Sequence, residues 1–297
     1  MTGGEVHRAH VTGGSGFLGG FVIPRLRAAG YEVSALARSA AAAAKVEALG
    51  ATAVPGDLDA GTDRLRAAFG GSAPGALVNL ASLGFGHAPT IVEAAEAAGL
   101  KRAVFVSTTA IFTRLDAPSK LIRTAAEGSV RESDLDWTIV RPTMIYGTPD
   151  DRNMWRLLRH LRRLPVVPMP GGGENLQQPI HVADLADAIV AVVQTDASAG
   201  RAYDLAGPEA LTFRRLVAIA GAAVGRSPVA VPLPGRPIIR ALARLESAGR
   251  SLPLKAEQVE RLLEDKVFDI SEAVSDLGFS PRSFDDGIHA EAGMTAP

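Results

Sequence analysis

Short runs of aliphatic and β-branched residues alternate with longer alanine-rich stretches along the first half of the chain. The apolar runs have the length and composition of buried strands, and they cover residues 9–12, 32–36, 52–55, 76–80, 103–107 and 137–140. The stretches between them place apolar residues at helical spacing and predict helices over residues 17–29, 40–49, 63–69, 89–98 and 120–131. Repeated strand–helix units build a parallel sheet with helices on both faces. We therefore expect an α/β fold with a doubly wound parallel sheet.

Glycines follow four of the predicted helices, at Gly30, Gly50, Gly70 and Gly99. A residue just past the end of a helix often takes the left-handed conformation, which glycine adopts without a steric penalty. We expect a left-handed cap at each of these positions.

The alternation breaks after Arg141 and Pro142, where proline- and glycine-rich connections begin, notably over residues 165–173. A helix over residues 182–194 and a strand over residues 202–205 are expected to return to the sheet. We predict two interleaved units. Residues 1–165 with 178–206 form a dinucleotide-binding Rossmann domain, and residues 166–177 with 207–297 form a smaller, C-terminal substrate-side lobe.

The charge balance and the lack of cysteine narrow the classes of function. The 297 residues carry 31 Lys and Arg against 32 Asp and Glu, and this net charge of −1 argues against nucleic acid or an anionic membrane as a partner. A small-molecule substrate is the expected ligand. The absence of cysteine excludes disulfides and thiol nucleophiles. No apolar run has signal-peptide length or the roughly 18 residues of a membrane span, so we expect a cytoplasmic protein.

A glycine-rich loop between the first predicted strand and helix carries the strongest motif. Gly14, Gly16 and Gly19 satisfy G-x-G-x-x-G, and an overlapping T-G-x-x-G-x-x-G begins at Thr12. Such a loop brings backbone N–H groups and a helix N-terminus close to a pyrophosphate. The alternative is a plain strand–helix connection. The predicted cofactor contacts in this loop are Thr12, Gly13, Gly14, Ser15, Gly16, Phe17, Leu18 and Gly19.

The end of the second predicted strand bears on the choice of cofactor. An acid is expected there, about 20 residues beyond the loop, when the ribose of the cofactor is unphosphorylated. An alanine stands at that place, followed by Arg38 and Ser39, which suit a 2′-phosphate. Arg38 is otherwise a solvated residue at a helix start. We therefore predict NADP(H) as the preferred cofactor, with NAD(H) possible.

Several further motifs follow in an order that resembles the short-chain dehydrogenase/reductase superfamily, in particular its extended and atypical, epimerase/dehydratase-like branches. The segments lie at residues 56–58, 79–82, 106–110, 141–147, 181–186 and 203–208. The resemblance implies that particular residues meet the cofactor: Asp57 and Leu58 at the adenine, Ala81 and Ser82 along the ribose, Ser107 on the active-site strand, and Pro142 near the nicotinamide.

The chain departs from this superfamily at its catalytic Tyr-x-x-x-Lys pair. The tyrosines are Tyr31, Tyr146 and Tyr203, and none has a lysine four residues on. Alignment of the helix by Glu127 puts Ser119 and Arg123 at the two positions. A serine hydroxyl is far less acidic than a phenol, and arginine stays protonated.

Arg123 is therefore predicted to bind the nicotinamide ribose, and other side chains must transfer the proton. The candidate catalytic residues are Thr109, His87 and Tyr146. His181 is expected to have a structural role before the helix at 182–194.

Two functions fit these features. The first is an NAD(P)-dependent oxidoreductase or epimerase/dehydratase-like protein that acts on a carbonyl or hydroxyl group of a small molecule. The second is a non-catalytic NADP(H)-binding regulator or assembly subunit. Gln177 stands where relatives that bind nucleotide sugars often carry an arginine, which weakens that substrate class. The resemblance also suggests a homodimer formed through the helices at 89–98 and 120–131.

Overall fold

The computed structural model of the chain describes residues 7–70, 75–151, 153–250 and 256–294. Its strands are β1 (Arg8–Thr12), β2 (Glu32–Ala37), β3 (Thr52–Pro55), β4 (Ala76–Asn79), β5 (Arg102–Val106), β6 (Asp136–Pro142), β7 (Ile145–Tyr146), β8 (Val166–Pro170), β9 (Leu176–Gln177), β10 (Ile180–His181), β11 (Arg201–Leu205), β12 (Leu211–Thr212) and β13 (Val229–Leu233). Its helices are α1 (Gly19–Ala28), α2 (Ala40–Ala48), α3 (Thr62–Phe69), α4 (Ala88–Ala97), α5 (Pro118–Arg131), α6 (Met154–Arg163), α7 (Val182–Gln194), α8 (Phe213–Ala223), α9 (Gly235–Ser247), α10 (Ala256–Leu262), α11 (Ser271–Leu277) and α12 (Phe284–Ala292).

A seven-stranded parallel sheet forms the centre of the molecule, with strand order β11-β6-β5-β4-β1-β2-β3. This confirms the predicted doubly wound α/β fold. The order reverses between β1 and β4, because the chain winds outward first in one direction and then in the other. In open α/β sheets, ligands bind beyond the carboxyl ends of the strands at such a reversal. The glycine-rich loop follows β1 and lies at this point.

Apolar side chains cover both faces of the sheet, since its central strands are buried on both sides. Helices α1 and α7 pack against one face, through residues such as Ile23, Leu26 and Ile189. Helices α3, α4 and α5 pack against the other, with Ile91 and Val130 fully or almost fully buried. Burial on both faces explains why the strands appear in the sequence as continuous apolar runs.

A third apolar cluster forms the smaller lobe from α6, β8, α8 and α12, and includes Trp155, Leu158 and Phe284. Helix α6 thus packs in the small lobe, although the predicted boundary at residue 165 assigned it to the dinucleotide-binding unit. Helix α11 was predicted to belong to the smaller lobe, but it packs on the sheet. Ala273 and the following Phe279 are part of the apolar cluster there. The long proline-rich connections let these segments cross between the two units.

Three of the four predicted glycine caps are confirmed. Gly30, Gly50 and Gly99 have φ values of +89°, +87° and +74°. The prediction for Gly70 is wrong, because its φ is −89° and its N–H still bonds to the carbonyl of Arg66. A Cβ at Gly70 would lie 2.8 Å from that carbonyl oxygen. Glycine is thus favoured there by close approach and not by handedness.

Within the described ranges, no helix has the length and apolar character needed to cross a lipid bilayer.

The last helix, α12, carries a fully buried carboxyl group, that of Glu291, within the small lobe. Neither carboxylate oxygen of Glu291 has a hydrogen-bond partner among the described residues, and the buried Asp151 lies beside it. Burial, and then the neighbouring Asp151 carboxylate, raise the pKa of Glu291 from 4.5 to about 9; Arg162 and the Gly147 N–H oppose this shift. Glu291 is therefore protonated in the folded protein at neutral pH.

The buried acid makes folding stability depend on pH. Between pH 4.5 and about 9 the folded state holds a proton that the unfolded state has lost, so the free energy of unfolding falls as pH rises. The slope from one group cannot exceed about 1.4 kcal/mol per pH unit. We expect Glu291→Gln to remove this slope and to be more stable than the unaltered protein at pH 8, in urea unfolding followed by circular dichroism.

The exposed Glu47→Gln serves as the control and should leave the pH dependence unchanged. Equal pH profiles for Glu291→Gln and the unaltered protein would contradict the assignment of a buried, protonated Glu291.

Candidate cofactor and active site

The glycine-rich loop runs from the end of β1 into α1 and packs tightly against its surroundings. Gly13 has a φ of +72°, and a Cβ there would lie 2.7 Å from the backbone nitrogen of Ala81. A Cβ on Gly19 would lie 2.0 Å from the carbonyl oxygen of Gly14. The first turn of α1 therefore lies directly on the loop, a contact that only glycine permits.

A buried hydrogen-bond chain holds the loop to the neighbouring strand. The hydroxyl of Thr12 donates to Asn79 Oδ1, and Asn79 Nδ2 donates to the carbonyl of Ala81 at 3.1 Å. Both Thr12 and Asn79 are fully buried. Thr12, predicted as a cofactor contact, thus has its side chain engaged in positioning the loop.

The N-terminus of α1 suits an anion. No side chain caps it, and its first turn carries no acidic residue. Gly16 is exposed on the loop and Ser15 is half-buried, whereas Leu18 belongs to the core and Phe17 packs with Phe21. Uncapped N–H groups and the helix dipole favour a phosphate at this place. Because the side chains of Phe17 and Leu18 are packed inside the protein, these two residues can meet a cofactor only through their backbone atoms.

An open cleft of about 810 Å³ lies at the carboxyl ends of β2 and β3 and continues between α2 and α3. Arg38, Ser39 and Asp57 line it, as the sequence led us to expect for the adenosine end of a cofactor. Arg64 lines it as well. Both arginines are exposed, and neither has a hydrogen bond or ion pair to another described residue within this cleft. Arg64 carries no sequence signal of its own, since only the docking of α3 brings it to the cleft.

Two polar residues of the cleft also accept hydrogen bonds from nearby backbone N–H groups. Ser39 Oγ accepts a hydrogen bond from Ala42 N at 3.2 Å and caps α2. Asp57 Oδ1 accepts one from Asp59 N at 3.1 Å, at the start of the short turn that contains Leu58. The Ser39 hydroxyl proton and the second oxygen of Asp57 stay available to a ligand.

His87 lies on the adenosine side of the sheet. Its Nε2 is 2.8 Å from Asp59 Oδ1, in the turn that follows the edge strand β3. From the sequence, the loop before His87 is expected to lie near the nicotinamide end of the sheet. The contact of His87 with Asp59 instead ties the start of α4 to the β3 turn, which does not support the proton-transfer role predicted for it.

The carboxyl ends of β5 and β6 are joined by a buried ion pair. Arg141 contacts Glu127 of α5 with its Nε 3.0 Å from Oε1 and its terminal nitrogen 2.6 Å from Oε2. Ser107 donates a 2.6 Å hydrogen bond to the same carboxylate. Thr109 Oγ1 lies 3.3 Å from the carbonyl of Pro142 and is buried. The structure thus brings Ser107, Thr109 and Pro142 to the same end of the sheet, and the contact of Ser107 and Arg141 with Glu127 holds α5 beside them.

Helix α5 carries Ser119 and Arg123 toward the loop that follows β4. The guanidinium of Arg123 would lie 3.1–3.2 Å from a Cβ at Gly84 in that loop, next to Ser82. Burial, and then the positive charge of Arg261, lower the pKa of Arg123. The ammonium group of Lys120 donates a 2.6 Å hydrogen bond to the carbonyl oxygen of Thr113. This bond holds Lys120 away from the position of the missing lysine.

Tyr146 lies in the core of the small lobe and is almost completely buried. Its ring contacts those of His181 and Phe284, with centroids 5.3 and 5.2 Å away, and a Cβ at Gly287 would lie 2.2 Å from its hydroxyl. Burial raises the pKa of this phenol. A buried phenol of raised pKa is poorly suited to proton exchange with a substrate, which corrects its predicted catalytic role.

His181 has the structural role expected of it. Its Nδ1 accepts a hydrogen bond from Ala183 N at 3.2 Å and caps α7. Burial, and then the charge of Arg282, lower its pKa to about 4. The imidazole is therefore neutral at physiological pH.

Two adjacent glutamines hold a C-terminal segment against the substrate side of the sheet. Gln177 Nε2 donates to the carbonyl of Glu264 at 3.1 Å, and Gln178 Oε1 accepts from Phe268 N at 2.8 Å. Gln177 stands where some relatives place a phosphate-binding arginine. In this chain, the side chain at that position instead donates a hydrogen bond to the C-terminal segment.

Comparisons with known proteins agree with this geometry. A family model described as NAD(P)H-binding matches residues 13–196. The NAD(P)H azoreductase of Xenophilus azovorans is 31% identical over 219 residues, which are 73% of this chain and 73% of the azoreductase. A mitochondrial NADH dehydrogenase (ubiquinone) 1 alpha subcomplex subunit 9 from Arabidopsis thaliana is 34% identical over 154 residues, or 50% of this chain. The chain matches only 37% of that subunit's length.

Among solved structures, the UDP-glucose 4-epimerase of Thermotoga maritima with UDP-glucose superimposes with a TM-score of 0.74, at 17% identity, over 96% of this chain and 97% of the epimerase. At that identity the likeness shows the fold alone. The match over residues 13–196 covers the glycine-rich loop from Gly13 onward and the sheet strands β2 to β6. The chain therefore belongs to the NAD(P)H-binding family.

Proposed function

We propose that this protein is an NADP(H)-dependent oxidoreductase that reduces the carbonyl group of a small molecule. The single observation that carries the proposal is the phosphate loop, in which Gly13 and Gly19 allow contacts that any side chain would block. A purely structural connection does not require so close an approach of α1 to the loop. The azoreductase relative, named for use of NAD(P)H, supports the same class of activity.

NADP(H) is proposed over NAD(H) because two cations face the cleft at the adenosine end. Arg38, which directly follows β2, and Arg64 of α3 both line this cleft, and no acid stands at the end of β2 to bind a free ribose hydroxyl. A 2′-phosphate between two guanidinium groups gains charge-assisted hydrogen bonds that an unphosphorylated ribose lacks.

The bound cofactor would supply hydride to the substrate carbonyl, and the chain must position the substrate and provide a proton. Of the three residues predicted for proton transfer, Thr109 is the one placed at the end of β5, beside Pro142. We propose that the Thr109 hydroxyl turns from the Pro142 carbonyl to donate a hydrogen bond to the substrate oxygen, and that water supplies the proton to the alkoxide left by hydride transfer. Arg123 of α5 is proposed to hold the ribose end of the cofactor.

A second candidate function is a non-catalytic NADP(H)-binding subunit or regulator. The observation that favours it is the departure at Ser119 and Arg123 from the catalytic pair of the superfamily. Similarity to the mitochondrial NADH dehydrogenase subunit points in the same direction, although it covers half of this chain. Both candidates require dinucleotide binding, and only the first requires turnover.

A homodimer in the cytoplasm remains our proposal for the state of the protein. Helix α5 exposes Leu121 and Ile122, and Phe85 in the neighbouring turn is 72% exposed. Large exposed apolar side chains on one face often mark a contact with another chain.

Substitution at the loop tests cofactor binding. Gly19→Ala places a methyl group against the Gly14 carbonyl, so we expect NADPH affinity in calorimetry to fall at least roughly tenfold, because even a small displacement of the loop removes charge-assisted phosphate contacts. Gly20→Ala is the matched control, since a Cβ at Gly20 meets nothing within 4 Å. Unchanged affinity in a folded Gly19→Ala protein would place the cofactor elsewhere.

The cofactor preference is tested at the two arginines. We expect Arg38→Ser and Arg64→Ser each to weaken NADPH binding by roughly tenfold while NADH affinity changes little, as removal of a charged hydrogen bond predicts. Arg66→Ser is the control: Arg66 lies on the same helix, pairs with Asp63 and does not line the cleft. Equal loss of NADH and NADPH affinity would contradict recognition of a 2′-phosphate.

Turnover separates the two candidate functions. We expect NADPH oxidation, followed at 340 nm, in the presence of at least one member of a panel of aldehydes, ketones and quinones, and a clear loss with Thr109→Val. NADPH binding without oxidation across the panel would favour the non-catalytic subunit.

A further inference from the structure

Positive charge is distributed unevenly along the chain. Two segments, residues 152–173 and 210–245, contain no Asp or Glu and carry 11 arginines. This leaves 20 of the 31 Lys and Arg, together with all 32 Asp and Glu, in the rest of the chain. The net charge of −1, which argued against an anionic membrane as a partner, is therefore an average over a basic and an acidic part of the molecule.

The fold brings the two basic segments together in the small lobe. Strand β8 of the first segment pairs in parallel with β13 of the second. Helix α6 of the first packs against α8 of the second, and both contribute to the third apolar cluster. The arginines are thus gathered on one lobe, although they are far apart in the sequence.

Strands β8 and β13 form a two-stranded ribbon with an apolar outer face. Val167 and Met169 of β8 are buried in the small lobe. Successive side chains of a strand point to opposite faces. The alternate residues of β8, their partners on β13 and the residue two places before β8 are aliphatic and exposed: Leu164, Val166, Pro168, Val229 and Val231. Val229 is 58% exposed and Leu164 53%.

The basic side of α6 adjoins this apolar face. Trp155, Leu158 and Leu161 point into the small lobe, and the opposite side of the helix exposes Arg156, Arg159, His160 and Arg163. His160 Nε2 lies 2.9 Å from the carbonyl oxygen of Val166, so the outer side of α6 meets the edge of β8. These four basic residues and the five exposed aliphatic residues of the ribbon are called the docking surface below.

Neighbouring acids do not neutralise the arginines of the docking surface. Of the ten arginines of the two segments that the structure describes, Arg214 alone forms an ion pair with a described acid, Glu174 at 3.1 Å. Asp285 and Asp286 of α12, the helix that packs against α6 and α8, have partners within α12 and at its N-cap. The guanidinium groups of α6 on this surface therefore face solvent without an acidic partner among the described residues.

We propose that the docking surface binds the headgroup region of an anionic lipid bilayer and holds the protein at a membrane surface. Exposed aliphatic side chains enter the boundary between headgroups and acyl chains, and their removal from water favours binding. Arginines beside them gain from the negative potential of the bilayer and donate hydrogen bonds to lipid phosphates. The ribbon and α6 supply both kinds of side chain on adjoining faces.

A nucleic acid is the main alternative partner for so basic a region. Sites for single strands combine cations with aromatic side chains on which the bases stack. The aromatic ring of α6, that of Trp155, is buried, and Arg162 lies over it at 5.1 Å from the ring centroid. The exposed residues of the ribbon are aliphatic, which suits lipid and offers nothing to a phosphodiester backbone.

Sedimentation of the full chain with lipid vesicles tests the proposal. One set of vesicles is phosphatidylcholine alone, and in the other one third of the lipid is phosphatidylglycerol. We expect a partition coefficient at least about tenfold higher for the anionic vesicles, since each arginine near such a surface contributes roughly fivefold. Sodium chloride at about 0.5 M should remove most of this preference by screening.

Two double variants test the two halves of the surface. We expect Arg159→Gln with Arg163→Gln to lower the partition coefficient roughly thirtyfold, about fivefold for each charge. Lys45→Gln with Lys101→Gln removes the same charge from exposed positions elsewhere and is the control.

Val229→Thr with Val231→Thr keeps the shape of the ribbon but makes its face polar, and we expect a loss of at least about tenfold. The control is Val267→Thr with Val274→Thr, which alters two exposed valines outside the ribbon.

Equal partition of the unaltered protein into neutral and anionic vesicles would overturn the proposal, and so would double variants that bind as their controls do. Binding to a labelled RNA or DNA strand, unaffected by Val229→Thr with Val231→Thr and without binding to vesicles, would assign the surface to nucleic acid instead. NADPH affinity should be unchanged in all four variants, because none of these residues belongs to the proposed cofactor site. The docking surface and the proposed oxidoreductase activity can therefore fail independently.

Discussion

The close approach of α1 to the glycine-rich loop is the constraint on which the rest of the site depends. Gly19 lies so near the Gly14 carbonyl that no side chain fits, and a Cβ on Gly13 would lie 2.7 Å from the backbone nitrogen of Ala81, just beyond β4. These contacts fix the N-terminus of α1 at the reversal of strand order in the sheet. The buried hydrogen bond from Thr12 to Asn79 joins the end of β1 to the end of β4 at the start of this loop. The phosphate site that we propose follows from this geometry, because no side chain of the described residues caps the N-terminus of α1.

A second fixed point lies at the reaction side, where Arg141, Glu127 and Ser107 join β6, α5 and β5. Breaking a buried pair of this kind by removing one partner leaves an unpaired charge and destabilises a protein strongly. The arrangement orients α5 even though the tyrosine and lysine that usually make this helix catalytic are absent. What remains on the helix is Arg123, which lies against the loop that follows β4.

The sheet and its helices were predictable from sequence because burial on both faces produces continuous apolar runs and because glycine marks helix ends. The phosphate loop was predictable because backbone approach restricts residue type. The placement of His87 was not, since its contact with Asp59 depends on how the turn after β3 packs. Tyr146 looked like a catalytic candidate because a tyrosine in the sequence gives no sign of its burial by α12. Arg64 carried no signal, because it reaches the cleft only through the docking of α3.

The central claim is that the chain binds NADPH at the loop after β1 with the 2′-phosphate between Arg38 and Arg64. A crystal structure of the protein grown with NADPH tests it most directly. The account predicts the pyrophosphate at the N-terminus of α1, over Gly16, and the 2′-phosphate within hydrogen-bonding distance of both guanidinium groups. A dinucleotide bound elsewhere, or a 2′-phosphate turned away from both arginines, would contradict it.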